Sequence, residues 1–189
     1  MAGRSAVRMR LIMDPSNIRA ALEKVSAAIL SEPAKARSKN APAVARLTAG
    51  LQCEVVGPHN VSLITDMPPA MGGGASGPNP GWLLRGALAS CTATVIAMRA
   101  AKLGIAVSSL EVTVESDSDN RGILGLDESI PAGLAGVRVK VRIGAPAASP
   151  DLLREIVEWA DAHSPVGCTM RQAPGFSLDV EVLGATGPD

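Results

Sequence analysis

A chain of 189 residues with 18 basic and 18 acidic side chains carries no net charge, so no basic field recruits nucleic acid and no acidic tail stands out. Two tryptophans, one phenylalanine and no tyrosine leave few rings for base stacking or an aromatic cage. Core volume has to come from Leu, Val, Ile, Met and Ala, a composition that lets helices approach closely.

The length fits one domain with a sizeable core. Residues 1–13, MAGRSAVRMRLIM, read as irregular: they carry the arginines of a secretion signal without an adequate apolar run after them. Asp14-Pro15 is a helix cap followed by proline at the first helical position, which predicts a helix over 15–30. Ile18, Ala21, Leu22, Val25 and Ile29 form its one apolar stripe, which needs a partner surface. Residues 31–42, with two prolines and three Lys/Arg, read as a linker.

Two strand-like runs follow at 51–56 and 61–65, joined by the turn Gly57-Pro58-His59-Asn60. Residues 67–80 are rich in Gly and Pro, and the triplet Gly72-Gly73-Gly74 lets the chain pass close to something else. Asn79-Pro80 repeats the cap-plus-proline start and predicts a long helix to Lys102, stopped at Gly104. Its most apolar part, 87–98, ends at Arg99, short of the ~20 residues that span a bilayer. A cytoplasmic protein with no membrane partner is the expectation.

Leu110, Val112 and Val114 alternate with Glu111, Thr113 and Glu115, and Val137, Val139, Val141 and Ile143 alternate with Arg138, Lys140 and Arg142. Both read as half-buried strands, and antiparallel pairing would set opposite charges against each other on the outer face. The loop between them, 116–136, is long enough to be the mobile segment. Ser149-Pro150 opens a further helix to about residue 162, and 177–183 alternates Leu178, Val180 and Val182 with Asp179 and Glu181 as a last strand. Strands in two groups with two major helices between and after them indicate an α+β domain.

Cys53, Cys91 and Cys168 are too few and too scattered for a disulfide scaffold, and His59 and His163 lie outside ligand-like spacing with them. Neither a metal nor a cofactor is expected. Cys91 shares a helix face with Leu84, Ala87, Leu88, Val95 and Met98. By spacing alone it is either a small core residue or a reactive thiol.

The order Asp66, Pro68, Gly72-Gly73, Gly77-Pro78-Asn79-Pro80, Leu83-Leu84, Ala87-Leu88-Ala89-Ser90-Cys91-Thr92 resembles the core signature of the OsmC/Ohr family. There a Gly/Pro-rich loop leads into a long helix bearing a reactive cysteine. The Ser164-Pro165-Val166 turn supports the likeness, which covers roughly residues 51–183. On this reading residues 1–45 are a helical extension and linker, and 46–189 the family domain. The resemblance implies an α+β fold of two β-sheets packed around long central helices, in an intertwined homodimer. It also implies reduction of organic hydroperoxides, in oxidative or osmotic stress defence. Cys91 falls on the peroxidatic position, and a dithiol such as a lipoyl group would be the reductant.

Two departures bear on that chemistry. The family's second cysteine stands directly before Pro-Val, where this chain has Ser164, so the standard disulfide is lost. Cys168, four residues on, is the alternative resolving thiol, or else a small residue in a turn. The glutamate that follows the family's Asn-Pro, and holds an arginine against the thiolate, is Gly81 here. Arg46 is a candidate for that arginine by location, or a solvated linker residue. Arg85 points away from Cys91, and Arg99 lies two turns beyond it. Two functions follow: a thiol peroxidase whose Cys91 sulfenate is resolved by an external thiol or by Cys168, and a non-catalytic dimer holding a small apolar or acyl ligand in its interface cleft. Leu83, Leu84, Leu88, Met98 and Trp82 are candidates for the apolar pocket, or core packing. A homodimer is expected either way, because an isolated apolar N-terminal helix on a strand-poor monomer leaves too much apolar surface exposed.

Overall fold

The structure is a computed structural model that describes residues 12–184; the expectation for residues 1–11 lies outside them. Four helices begin alike. Asp14, Asn79, Ser149 and Ser164 each cap a helix, accepting a backbone N–H from Ser16, Trp82, Leu152 and Gly167, and each is followed by proline. Proline lacks the N–H that a first helical turn leaves unpaired, so it costs nothing there and presets φ. These caps open α1 (Pro15–Ser31), α2 (Pro80–Lys102), α4 (Pro150–Ala162) and α5 (Pro165–Arg171). A single-turn α3 (Asn120–Ile123) lies in the long loop after β4 (Ser109–Asp117). The sequence reading took Ser164-Pro165 as a turn only; it is the same capped start, followed by seven helical residues.

α2 packs against α1, α4, α5 and β4. By length and composition this helix would pass for a bilayer span, which corrects the expectation that its apolar stretch is too short. Contacts with four other elements make it the central helix of the domain. Ile96 and Ala100 of α2, Val107, and Ile156 and Ala160 of α4 form the fully buried core. The alanines let the two helices come close enough for the isoleucines to interlock. Thr92, on the same buried face, is 1% exposed, and its hydroxyl has no hydrogen-bond partner among the described residues. Thr92→Val keeps the shape and removes the unpaired oxygen, so it is expected to raise unfolding stability by about 1 kcal/mol, measured by chemical denaturation.

β4 pairs antiparallel with β5 (Gly136–Gly144), and the register sets Glu111 opposite Arg142, Thr113 opposite Lys140 and Glu115 opposite Arg138, as the alternation predicts. Arg138 also forms an ion pair with Asp117, at the end of β4. The second sheet has the order β1 (Val44–Ala49), β2 (Gln52–Val56), β3 (Ser62–Thr65), all antiparallel. β1 falls between the linker read at 31–42 and the first expected strand at 51–56, and its six residues are all exposed and so carry no in-out alternation. The architecture is α+β with two small sheets and long helices.

The expected last strand is absent: residues 173–184 form neither helix nor strand. Phe176, Leu178, Val180 and Val182 are 75–92% exposed. Alternation gives such a segment a face, but a strand exists only when a neighbouring edge accepts its backbone hydrogen bonds, and none among the described residues does.

Candidate active site

The loop that delivers α2 is built around one buried carboxylate. Asp66, 3% exposed, accepts the Met67 N–H at 2.7 Å on Oδ1. Its Oδ2 accepts the Gly74 N–H at 3.0 Å, the Ser76 N–H at 3.1 Å and the Ser76 hydroxyl at 2.9 Å. These donors, the Ser76 backbone foremost, hold its carboxyl below the usual carboxylate range against the opposing effect of burial. The loop closes so tightly that a Cβ on Gly73 would lie 1.9 Å from the Met67 carbonyl oxygen, and one on Gly77 2.3 Å from that of Ile64. The glycines read in the sequence as allowing close approach do so here against the protein's own backbone.

Cys91 sits near the middle of α2, half-buried. The fully buried face of the helix is Leu88, Thr92, Ile96 and Ala100, so Cys91 stands at its margin. Leu84 and Met98, at the two ends of the stripe read from spacing, are exposed. Directly against the thiol stands Ser164, fully buried, with Oγ 3.3 Å from Cys91 Sγ. Ser164 caps α5, its Oγ accepting the Gly167 N–H at 3.2 Å, so its own hydrogen is free to point at sulfur. A thiolate accepts such a hydrogen bond more strongly than a thiol does.

An apolar cavity of about 380 Å³ lies between Leu84 and Leu88 of α2, Val137 and Val139 of β5, and Gly167, Met170 and Arg171 of α5, with Cys91 and Ser164 not themselves in its lining. Leu88 precedes Cys91 by one turn, and Gly167 is the residue bonded to Ser164. Of the expected pocket residues, Leu84 and Leu88 line this cavity, while Met98 and Trp82 line others.

The remaining candidates lie further off. Cys168 is exposed, one turn along α5 from Ser164, and its thiol donates to the Ala162 carbonyl at 3.3 Å. Arg46 is exposed on β1 opposite Glu54, and no hydrogen bond joins it to Cys91 among the described residues. Arg85 is turned to the Ser116 hydroxyl at 3.2 Å. Arg99 lies over the Trp159 ring, 4.7 Å from its centroid. The cation that sequence reasoning missed is Arg171, which lines the cavity and is paired with Asp161. It sits in the last turn of the helix the sequence reading took for a turn. No group of His, Cys, Asp and Glu among the described residues is arranged to hold a metal ion.

Comparison with known proteins gives a consistent result. Residues 72–179 match the sequence profile described as OsmC-like protein. No curated protein sequence matches the chain. Among solved structures, an OsmC-like protein from Mycoplasma pneumoniae superposes with a TM-score of 0.61 at 18% identity, over 72% of this chain and 91% of the other. An OsmC-like protein of unknown function from Vibrio cholerae gives 0.59 at 11%, over 70% and 94%. An organic hydroperoxide resistance protein from Elizabethkingia anophelis gives 0.52 at 17%, over 72% and 91%. The fold is shared with these proteins, and the matched segment runs from the glycine triplet through Cys91 and Ser164 to the C-terminal tail. With more than half of its length matched to that one profile, the chain belongs to the OsmC-like family.

Proposed function

We propose that the protein is a cytoplasmic homodimer that reduces organic hydroperoxides through Cys91. The observation that carries this reading is a half-buried thiol with a hydroxyl hydrogen bond on its sulfur; an apolar cavity lined by Leu88, one turn before Cys91, and by Gly167, bonded to Ser164, offers room for the organic part of a peroxide. The fold it shares with a protein described as conferring organic hydroperoxide resistance supports it. In the first step the Cys91 thiolate attacks the outer peroxide oxygen. A sulfur–oxygen bond forms, the O–O bond breaks, and the alkoxide leaves and takes a proton as the alcohol. Ser164 cannot form a disulfide, so the sulfenic acid is attacked by an external thiol, which releases water. A second thiol of the same reductant, a dithiol such as a lipoyl group, then frees Cys91.

The homodimer rests on surface. Leu47 on β1 and Phe176, Leu178, Val180 and Val182 after α5 are 68–92% exposed, apolar surface that a partner would cover. The unpartnered segment 173–184 and the outer face of β1 are where a second copy would add contacts.

The test is cumene hydroperoxide added to reduced protein, read by intact mass and by alcohol yield. One oxygen added at Cys91 with one equivalent of alcohol is expected. A thiol left unmodified by a large excess would overturn the reading in favour of a non-catalytic dimer whose cavity holds an apolar ligand. Ser164→Cys extends the test, because the serine oxygen is already at 3.3 Å from sulfur. Hydroperoxide should then drive a disulfide between Cys91 and the introduced thiol. Turnover with a dithiol should rise by on the order of tenfold.

A further inference from the structure

A second cavity, of about 300 Å³, is lined by residues of α1, α2 and α4 together with His163 and Pro165. Leu22 of α1, Val95 and Met98 of α2 and Trp159 of α4 give it an apolar wall, and Arg99 and Lys102 bring two cations to it. No carboxylate lines it, and neither cation has an ion pair among the described residues. Lys102 lies in the last turn of α2, where the helix end alone favours a positive charge. Arg99 is different. Its guanidinium is laid over Trp159, and its Nε is buried with no hydrogen-bond partner. An unpaired buried donor on a charged group is costly to leave in place unless something accepts from it.

The aromatic floor beneath Arg99 is fixed. His163 stacks on Trp159 with ring centroids 3.9 Å apart, and its Nδ1 lies 2.6 Å from the Trp159 carbonyl. A carbonyl only accepts, so Nδ1 carries the hydrogen and holds the ring in place. The result is a preformed slot with a cationic end, an apolar body and a rigid base, with a volume at the small end of the range for ligand sites. α1 closes it from outside the segment matched to the family.

We propose that this cavity binds an apolar organic anion, a medium-chain carboxylate. Its head group accepts from Arg99, including the orphaned Nε, and from Lys102. Its chain runs along Leu22, Val95 and Met98 under α1. The site is separate from the peroxide cavity and does not depend on thiol chemistry.

Octanoate is the probe, added to reduced full-length protein carrying Trp82→Phe so that Trp159 is the only tryptophan. A saturable change in Trp159 emission is expected with octanoate and not with octanol or octylammonium at equal concentration. Arg99→Gln should weaken binding at least tenfold, and Arg99→Lys less. Ser26→Phe, at the exposed rim on α1, should fill the slot and abolish binding while leaving Trp159 the only tryptophan; it serves as the second variant if loss of Arg99 disturbs folding, checked by circular dichroism. No saturable change with octanoate, equal binding of octanol, or unaltered affinity in a folded Arg99→Gln or Ser26→Phe protein would each overturn the assignment.

Discussion

Cys91→Ala is expected to remove hydroperoxide reduction, lowering the dithiol-dependent rate by on the order of a thousandfold or more while leaving the fold intact. No other thiol is placed to take over. Cys168 is turned to the Ala162 carbonyl, and Cys53 lies on β2 in the other sheet. The position is also a tolerant one. Cys91 is half-buried at the edge of the packed face rather than within it, and alanine is a good helix former. The stability cost should therefore stay near 1 kcal/mol. Peroxide consumption and thermal unfolding, measured on the same preparation, separate the two effects. A variant that keeps more than a tenth of the parent rate would show that the chemistry lies elsewhere.

Gly73→Ala should be the most destabilising single substitution in the loop that starts the central helix. The added methyl would meet the Met67 carbonyl oxygen at 1.9 Å, the Met67 carbonyl carbon at 2.5 Å and Asp66 Oδ1 at 2.8 Å. Two of those three atoms are backbone, so the loop must open, and opening it strips donors from a buried carboxylate. A cost of about 3 kcal/mol is expected, which for a chain of this size is a fall in Tm of roughly 6–12 °C. Gly133→Ala is the control, because a Cβ there meets nothing within 4 Å and should be neutral. Equal melting temperatures for the two variants would mean that the Asp66 loop is not the tight structure described.

The parts of the fold that were legible beforehand are those written in local chemistry. Asn79-Pro80 and Gly104 marked both ends of α2, and the alternating charges of β4 and β5 gave their pairing, because a cap, a stop and a period each act over a few residues. What escaped depends on partners distant in sequence. The six residues of β1 are all exposed and show no alternation, so only the edge of β2 makes them a strand. The 177–183 segment failed the other way: it has the pattern and lacks the edge. At the site, Cys91 could be found from its motif. Its partner could be anticipated only as a departure from the family, and that Ser164 is buried against the sulfur is a fact of three-dimensional packing. Arg171 was hidden because four residues after a proline turn gave no sign that a helix continues.

The exposed outer face of β1 has a thermodynamic consequence. The β1–β3 sheet makes little contact with the helices of its own protomer, so in the proposed homodimer association would supply much of its stability. For such a dimer folding would be second order: the folded fraction would rise with total protein, and a melting temperature would have meaning only beside the concentration at which it was taken. Dilution would then act as a denaturant, and cellular abundance would help to set how much of the Cys91 site exists in assembled form.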